Sequence, residues 1–269
     1  MQRNLITLSI LLIVKLIFAQ DKEPFDASVN SQIWLDYNSK HNLNDDRSVS
    51  GFVGYRSITP HVFNKFMIVP TYNIIHKKSP KFIKREKPLI SSFHLGSAIY
   101  YTNNKYEPDN IEFRLMQGFK FFVPSLKMIP LQNYIRLEER FQKDFDGSNW
   151  NTSFRFRYQL ATVIEWKNHI FSFNKGLYIP LNVELFFNLK KADRFNDVIR
   201  ISPGLGYKFN DEWRTEFYVS YHLSTNTTEN DDSTNDFVFR LRIYKISSKE
   251  KKKKIKINTK EEDLKDLIE

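Results

Sequence analysis

The sequence has 269 residues and contains no cysteine. This absence excludes a disulfide framework, a thiolate metal site, cysteine catalysis and the acylated cysteine that anchors a lipoprotein. It does not argue against export, because a large hydrogen-bonded barrel needs no disulfides. The missing cysteines therefore narrow the chemistry of the protein without fixing its compartment.

The sequence also lacks the long apolar runs of a helical membrane protein. Charged residues make up 27% of the chain and the mean hydropathy is −0.49, which excludes a bundle of membrane helices. Apolar residues make up 41%, which is too high a share for a disordered chain. The composition is that of one large β domain or two small domains.

No strong motif for catalysis, metal binding or nucleotide binding is present. Gly204-Leu205-Gly206 lacks the following helix that a dinucleotide-binding loop requires. Five of the six histidines show no ligand spacing and are interpreted as surface residues: His41, His61, His76, His94 and His169. We therefore predict no metal site and no cofactor.

Aromatic residues and regular alternation are what the sequence does contain. The chain has 24 Phe and 13 Tyr, a load that favours strands over helices. The stretches 134–141 and 154–160 alternate apolar residues with arginine or glutamate. They are two of eleven segments between residues 28 and 246 that alternate in this way. A period of two predicts strands with one apolar and one polar face.

A soluble sandwich and a membrane barrel both fit this alternation, and three observations favour the barrel. The segments run for about 12–16 residues, longer than the mean soluble strand. Their polar faces carry full charges, which suits a lumen better than a sandwich surface. Aromatic residues such as Trp166, Trp213 and Tyr221 lie at strand ends, as an interfacial girdle requires.

We therefore predict an all-β fold, a transmembrane antiparallel up-and-down barrel. Closure of the barrel satisfies every backbone hydrogen-bonding group, which an open sheet in lipid does not. With both termini in the periplasm the number of strands is even, so we expect about twelve strands, with ten as the second choice. Because only eleven segments are visible, one strand is missed or one is split.

The ends of the chain predict export. Residues 1–19 resemble a cleaved signal peptide with Arg3, an apolar run and Ala19 at the cleavage site. An uncleaved anchor is the alternative, although the apolar run is shorter than the roughly 20 residues of a membrane helix and contains Lys15. We assign 20–27 to an N-terminal periplasmic segment, 28–246 to the barrel and 247–269 to a charged C-terminal tail.

The formal net charge of +10 is spread through strands and loops. A nucleic-acid-binding protein more often concentrates such charge in one patch or arm, so we predict no nucleic-acid partner. Attraction to outer-membrane lipids and lipopolysaccharide explains the charge more naturally, and simple solubility is the alternative.

Charged residues on the polar face are the strongest candidate site. We favour an ion-pair ladder in which they pair with one another and fill a narrow lumen. The functional alternative is a pore or pocket that favours anions, because arginine outnumbers glutamate on this face. The predicted lumen charges are Glu112, Arg114, Arg136, Glu138, Arg140, Arg155, Arg157, Glu184, Arg200, Arg214, Glu216, Arg240 and Arg242.

His222-Leu223-Ser224 is a second, much weaker candidate. A histidine base beside a serine nucleophile is sound chemistry, lipid A deacylases carry a similar pair on a barrel strand, and Glu216 shares this face. The alternation, however, points His222 and Ser224 into the lumen, whereas a lipid-cleaving site faces the bilayer. We therefore interpret the pair as structural.

The motifs along the strands resemble those of a known family. Arg136-Leu137-Glu138-Glu139-Arg140-Phe141 followed by 154–158 is similar to the signature of the bacterial outer-membrane barrels catalogued as domain of unknown function 2490. Supporting pieces are 112–114, 184–188 and Gly204-Leu205-Gly206-Tyr207, in an order that covers about residues 28–246. The resemblance implies an outer-membrane location in a Gram-negative bacterium, insertion by the outer-membrane assembly machinery, and no known activity. The bias towards Lys, Asn, Ile and Phe suits a Bacteroidota source.

Three functions follow from these expectations. The first is a non-enzymatic, monomeric outer-membrane barrel that is structural or a narrow conduit for small anionic solutes. The second is a barrel enzyme that modifies lipid A or phospholipid. The third is a membrane scaffold that binds a periplasmic partner through its lysine-rich tail.

Overall fold

The computed structural model describes residues 29–59, 63–75, 90–105, 107–123, 131–147, 149–165, 176–189, 196–225 and 233–248. The expected signal peptide, the segment 20–27, Trp166 and the tail beyond residue 248 lie outside these ranges. Among the described residues there is no helix that is long and apolar enough to cross a membrane.

The described residues form eleven strands, each of 12 to 16 residues. The strands are β1 (Val29–Asn44), β2 (Arg47–Thr59), β3 (Phe63–Ile75), β4 (Ile90–Asn104), β5 (Asn110–Val123), β6 (Leu131–Asp144), β7 (Asn151–Glu165), β8 (Leu177–Asn188), β9 (Asn196–Lys208), β10 (Trp213–Thr225) and β11 (Ser233–Ser248). Their period-two alternation gives each strand two chemically different faces.

The strands close into a single barrel. Each strand pairs antiparallel with the next along the chain, and β1 pairs with β11 in parallel to complete the ring. The predicted all-β barrel of about ten to twelve strands is confirmed. The observed number is eleven, which the expectation of an even number did not include, because a parallel closing pair allows an odd number.

Side chains reinforce the parallel seam between β1 and β11. The seam runs in register from Val29 opposite Asn235 to Asn42 opposite Ser248. Gln32 Nε2 donates to Asp236 Oδ2 at 2.6 Å, and Asn38 Nδ2 donates to the Ile243 carbonyl at 3.4 Å. The seam is therefore held by the backbone ladder and by polar contacts on its interior side.

An odd number of strands puts the two ends of the barrel chain on opposite sides. We call the end where β1 and β11 begin the N-terminal rim, and the end where both strands finish the C-terminal rim. The chain enters at Val29 on the first rim and leaves at Ser248 on the second. The two ends of the described chain therefore lie on opposite rims, whereas an even number of strands would place them on the same rim.

Burial alternates along the strands and separates a polar interior from an apolar exterior. On β4 the polar or small side chains of Ser92, His94 and Ala98 are buried, whereas Phe93 and Leu95 are exposed. Across the described residues, 26 buried side chains are polar or charged and only 14 are apolar. Meanwhile 31 large apolar side chains are exposed. This distribution is the reverse of that in a water-soluble sheet, where the apolar face is buried.

Aromatic rings gather on the exterior near both rims. Contacting pairs near the N-terminal rim are Tyr55–Phe66 at 5.2 Å, Phe113–Trp150 at 5.7 Å and Tyr221–Phe237 at 5.8 Å between ring centres. Pairs near the C-terminal rim are Phe93–Phe119 at 6.1 Å and Tyr207–Phe209 at 5.0 Å. Aromatic rings therefore form two bands, one near each rim of the exterior, with Trp213 at the first position of β10.

The register of the seam is testable because the native chain has no cysteine. Tyr37 and Ile243 are opposite each other and both are exposed on the exterior. The double variant Tyr37→Cys/Ile243→Cys should therefore oxidise to an intramolecular disulfide, since neighbouring strands hold Cα atoms within bonding range. Thiol titration and the mobility of the unreduced protein on a gel measure the cross-link.

The matched control is Tyr37→Cys/Phe239→Cys, because Phe239 pairs with Ile33 and lies four positions out of register. Four residues of a strand span roughly 13 Å, so this pair should stay reduced. A twelfth strand between β1 and β11 would separate Tyr37 from Ile243, and the first variant would then also stay reduced.

Candidate functional site

The thirteen charged residues singled out from the sequence all lie on interior positions of the barrel. Nine are arginines and four are glutamates. Their side chains are buried or half-buried, and each strand contributes them at alternate positions because successive side chains point to opposite faces. Asp36 on β1 joins them as a further interior carboxylate.

Glu112 anchors one end of an arginine–glutamate network. This network comprises Glu112, Glu138 and Glu184 with Arg114, Arg136, Arg140, Arg155, Arg157 and Arg200. Glu112 Oε1 accepts from Arg114 Nε at 2.8 Å and from Arg140 Nε at 2.5 Å, and its Oε2 accepts from Arg114 Nη2 at 2.9 Å. The Arg114 fork thus binds the carboxylate in a bidentate manner.

Glu138 is the centre of the same network and has no exposed surface. Its Oε2 accepts from Arg155 Nη2 at 2.6 Å and from Arg114 Nη1 at 3.5 Å. Its Oε1 forms ion pairs with Arg136 and, at 3.7 Å, with Arg157 Nη1. One carboxylate therefore holds four guanidinium groups from three strands.

Glu184 completes the network towards β9. It pairs with Arg157 on β7 and accepts from Arg200 Nη1 on β9 at 2.9 Å. Ion pairs consequently run without a break from β5 to β9. Arg114 and Arg157 each contact two of the three glutamates and so join the carboxylates into one series.

Trp34 is an interior residue whose role the sequence did not reveal. Its alternation placed it among polar residues and made it look like an interruption of the polar face. The guanidinium carbon of Arg56 lies 3.6 Å from the centre of its ring, and those of Arg200 and Arg240 lie at 5.0 Å and 5.3 Å. The indole thus provides a cation–π surface for arginines from three strands.

Phe186 is a second aromatic centre on the opposite part of the wall. The guanidinium carbons of Arg155 and Arg157 lie 5.0 Å from its ring centre, and that of Arg200 lies at 4.9 Å. Arg200 therefore touches both Phe186 on β8 and Trp34 on β1. This contact links the two aromatic rings across the interior and joins the arginine–glutamate network to the seam.

Asp36 and Glu216 are the carboxylates nearest to the seam. Asp36 Oδ2 accepts from Arg240 Nε at 2.5 Å and lies 3.9 Å from Arg242 Nε. Glu216 accepts from three tyrosine hydroxyls, those of Tyr244 at 2.7 Å, Tyr218 at 2.8 Å and Tyr178 at 2.9 Å. We call Glu216 and these three tyrosines the Glu216 site.

Two glycines on β9 make room for the tyrosines of the Glu216 site. A Cβ atom on Gly206 would lie 2.3 Å from the ring of Tyr178, and one on Gly204 would lie 2.6 Å from the ring of Tyr218. The Gly204-Leu205-Gly206 sequence therefore serves packing of aromatic rings in the interior.

His222 lies on the interior face and is 1% exposed. Its ring packs edge-on against Trp34 with 5.1 Å between ring centres, and its strand neighbours in register are Arg200 and Asp236. The backbone of Ser224 pairs with Thr234 on β11, and its side chain lies outside the described atoms. The imidazole is therefore enclosed by the charged interior.

The described histidines do not gather into a metal site. His94, expected at the surface, is instead buried on the interior face of β4, with its Nε2 2.7 Å from Ser92 Oγ. His41 Nδ1 lies 2.7 Å from Ser247 Oγ. The described residues contain no group of three or more His, Asp or Glu that could hold a metal ion. His61, His76 and His169 lie outside the described ranges.

A cavity of about 220 Å³ occupies the half of the lumen next to the C-terminal rim. Its wall includes Gln132, Arg136 and Asn182 on one side and Glu216 and Arg242 on the other. The arginine–glutamate network and the Trp34 contacts lie mainly in the half next to the N-terminal rim. The lumen is thus packed with side chains in one half and hollow in the other.

Substitution of Glu138 tests whether the network stabilises the barrel. We expect Glu138→Gln to lower the free energy of unfolding by about 3–5 kcal/mol, because it leaves buried guanidinium groups without their counter-charge. Unfolding in urea, followed by tryptophan fluorescence in lipid vesicles, measures this loss. The double variant Glu138→Gln/Arg136→Gln should lose less free energy of unfolding than the sum of the losses of the two single variants.

The control for this loss is Asp211→Asn, which removes a solvent-exposed ion pair of 3.3 Å with Lys208. Such surface pairs contribute about 0–1 kcal/mol. Equal losses for Glu138→Gln and Asp211→Asn would mean that the interior pairs contribute no more than a surface pair.

Comparison with known proteins agrees with the order of motifs along these strands. The family model described as "Protein of unknown function (DUF2490)" matches residues 31–234, from the third residue of β1 to the second residue of β11. No curated protein and no solved structure matches the chain. Because the matched region covers most of the sequence, the chain belongs to the DUF2490 family.

Proposed function

We propose that the protein is a non-enzymatic barrel of the outer membrane of a Gram-negative bacterium, with a lumen closed by ion pairs and a structural role. The inverted distribution of side chains carries this proposal. The exterior presents 31 exposed large apolar side chains in the described residues, whereas the interior holds the charges. Such a surface is stable in lipid, because each exposed apolar side chain would be costly in water.

The dimensions of the exterior support a membrane location. On β4 the exterior positions from Phe93 to Tyr101 span nine residues between the two aromatic bands. A tilted strand needs roughly 9–11 residues to cross the hydrocarbon region. We propose that lipids, including lipopolysaccharide, surround this belt, that the assembly machinery of the outer membrane inserts it, and that the barrel is a monomer.

Burial of the charges supports a closed lumen over a narrow conduit for anions. A side chain that lines a water-filled channel keeps part of its surface accessible to water. Glu138 has no exposed surface, and Trp34 and Arg200 are only 3% and 7% exposed. The contacts that join Trp34, Arg200 and Phe186 connect β1 with β9 and β8, a span of five neighbouring strands, and leave little surface on these side chains accessible to water.

The environment of His222 supports a role without catalysis. A lipid-modifying site has to meet an acyl chain in the bilayer, whereas His222 faces inwards against Trp34.

The direction of β11 sets a condition on the scaffold hypothesis. A scaffold that uses the tail requires the C-terminal rim, where β11 ends, to face the periplasm.

Conductance across a planar lipid bilayer tests the closed lumen. We expect the wild-type barrel to carry no steady ion current, with or without added solutes. The triple variant Trp34→Ala/Phe186→Ala/Arg200→Ala removes the connection across the lumen and should open a conducting path. Its current should favour anions, because arginine outnumbers glutamate on the remaining interior wall.

The matched control is Ile33→Ala/Phe187→Ala/Ile201→Ala, which changes the exterior neighbour of each of these interior residues. These side chains are exposed on the exterior, so their truncation should leave the barrel closed. A steady current through the wild-type protein would overturn the closed lumen.

A further inference from the structure

The cavity beside the C-terminal rim is a built polar site that the proposed structural role does not use. Its volume of about 220 Å³ corresponds to roughly seven water molecules at the volume per molecule of liquid water. The wall reaches Lys40, Ile75 and Ile246, which lie near the ends of β1, β3 and β11. The cavity therefore extends from the packed middle of the lumen to the rim.

Gln132 and Arg136 contribute donor groups to the wall of the cavity. Gln132 is 3% exposed, and its Nε2 has no hydrogen-bond partner among the described residues. The same is true of Nε of Arg136. Arg136 also lines the cavity and lies four residues further along β6, away from the C-terminal rim. Arg214 and Arg242 also line the cavity, so its wall holds more cationic donor groups than the one carboxylate that its described residues supply, Glu216, can pair.

The charge of the cavity wall is strongly positive. Lys40, Lys120, Arg136, Arg214 and Arg242 line it, and Glu216 is the one carboxylate among its described lining residues. That carboxylate already accepts from three tyrosine hydroxyls and lies 3.8 Å from nitrogen atoms of both Arg214 and Arg242. The cavity thus offers hydrogen-bond donors and cations, with its single carboxylate already engaged.

We propose that this cavity binds a small solute that carries an oxyanion, a carboxylate or a phosphate. The oxygen atoms of such a group accept several hydrogen bonds at once, which suits the amide of Gln132 and the guanidinium group of Arg136, and its charge suits the cationic wall. This inference rests on the proposed closed lumen, because a blind cavity retains a ligand whereas an open channel passes it. The volume limits the solute to a small one.

Isothermal titration calorimetry of the full mature chain in nanodiscs of zwitterionic lipid tests the proposal. Inorganic phosphate and succinate are the probes, and glycerol is the uncharged control. We expect at least one of the two anions to bind at low ionic strength, and glycerol to give no binding. Raising the salt concentration should weaken the binding of the anion.

Two substitutions in the wall should weaken the binding of the anion about tenfold each. Gln132→Met removes an amide donor and keeps the size of the side chain. Lys120→Gln removes a cavity cation. Each has a matched control on the interior face that does not line the cavity, Gln142→Met on β6 and Lys65→Gln on β3. The controls should bind within about twofold of the wild type.

Absence of binding for both anions, unchanged binding in Gln132→Met and Lys120→Gln, or equal losses in the control variants would overturn the proposal. The same preparation is checked for conductance and for the heat-modifiable gel mobility of a folded barrel. A barrel that is folded and closed but binds neither anion contradicts this inference alone. A chain that conducts, or that forms no barrel, contradicts the proposed function.

Discussion

A charge inside a narrow barrel is stable only when an opposite charge or several hydrogen bonds lie next to it, and this requirement orders the interior of the protein. Glu138 with four arginines and Glu216 with three tyrosines are the clearest results of it. The partners come from different strands, so each carboxylate fixes the relative register of its neighbours. The interior charges therefore stabilise the barrel and also specify how its strands align.

The aromatic rings extend this order across the lumen. Trp34 and Phe186 both contact Arg200, so that guanidinium groups lie against ring faces as well as against carboxylates. The glycines of β9 supply the space that Tyr178 and Tyr218 need to reach Glu216. Next to the C-terminal rim, where Glu216 and Tyr218 line the wall, the lumen is hollow and its wall is mainly cationic.

Alternation in the sequence was sufficient to predict the two faces of the strands and the barrel they form. The stretches 134–141 and 154–160 became β6 and β7, with Arg136, Glu138 and Arg155 on interior positions. Trp34 and Arg56 were not predicted as members of the site, although Trp34 shares its parity with Asp36. A hydrophobicity pattern groups the indole of Trp34 with apolar residues and not with its charged neighbours. Only the register of the strands shows that arginines stack on it.

The direction of the closing pair and the depth of the packing also lay beyond the sequence. Alternation is the same in parallel and antiparallel strands, so the pairing of β1 with β11 required the three-dimensional arrangement. The distinction between a ladder and a pore depends on how far the arginines of distant strands reach. That distance follows from the barrel's curvature and from side-chain rotamers, which a linear pattern does not contain.

The most direct test of the central claim, an apolar exterior in lipid around a charged interior, is a nitroxide scan of the exterior of β4. Single cysteines at Phe93, Leu95, Ser97 and Ile99 carry the label in vesicles, and collision rates with oxygen and with a water-soluble nickel chelate are compared. The account predicts that the label collides more often with oxygen than with the nickel chelate at all four positions. The ratio of the two collision rates should be largest near Ser97. Dominance of the nickel chelate at these positions would place the exterior in water and contradict it.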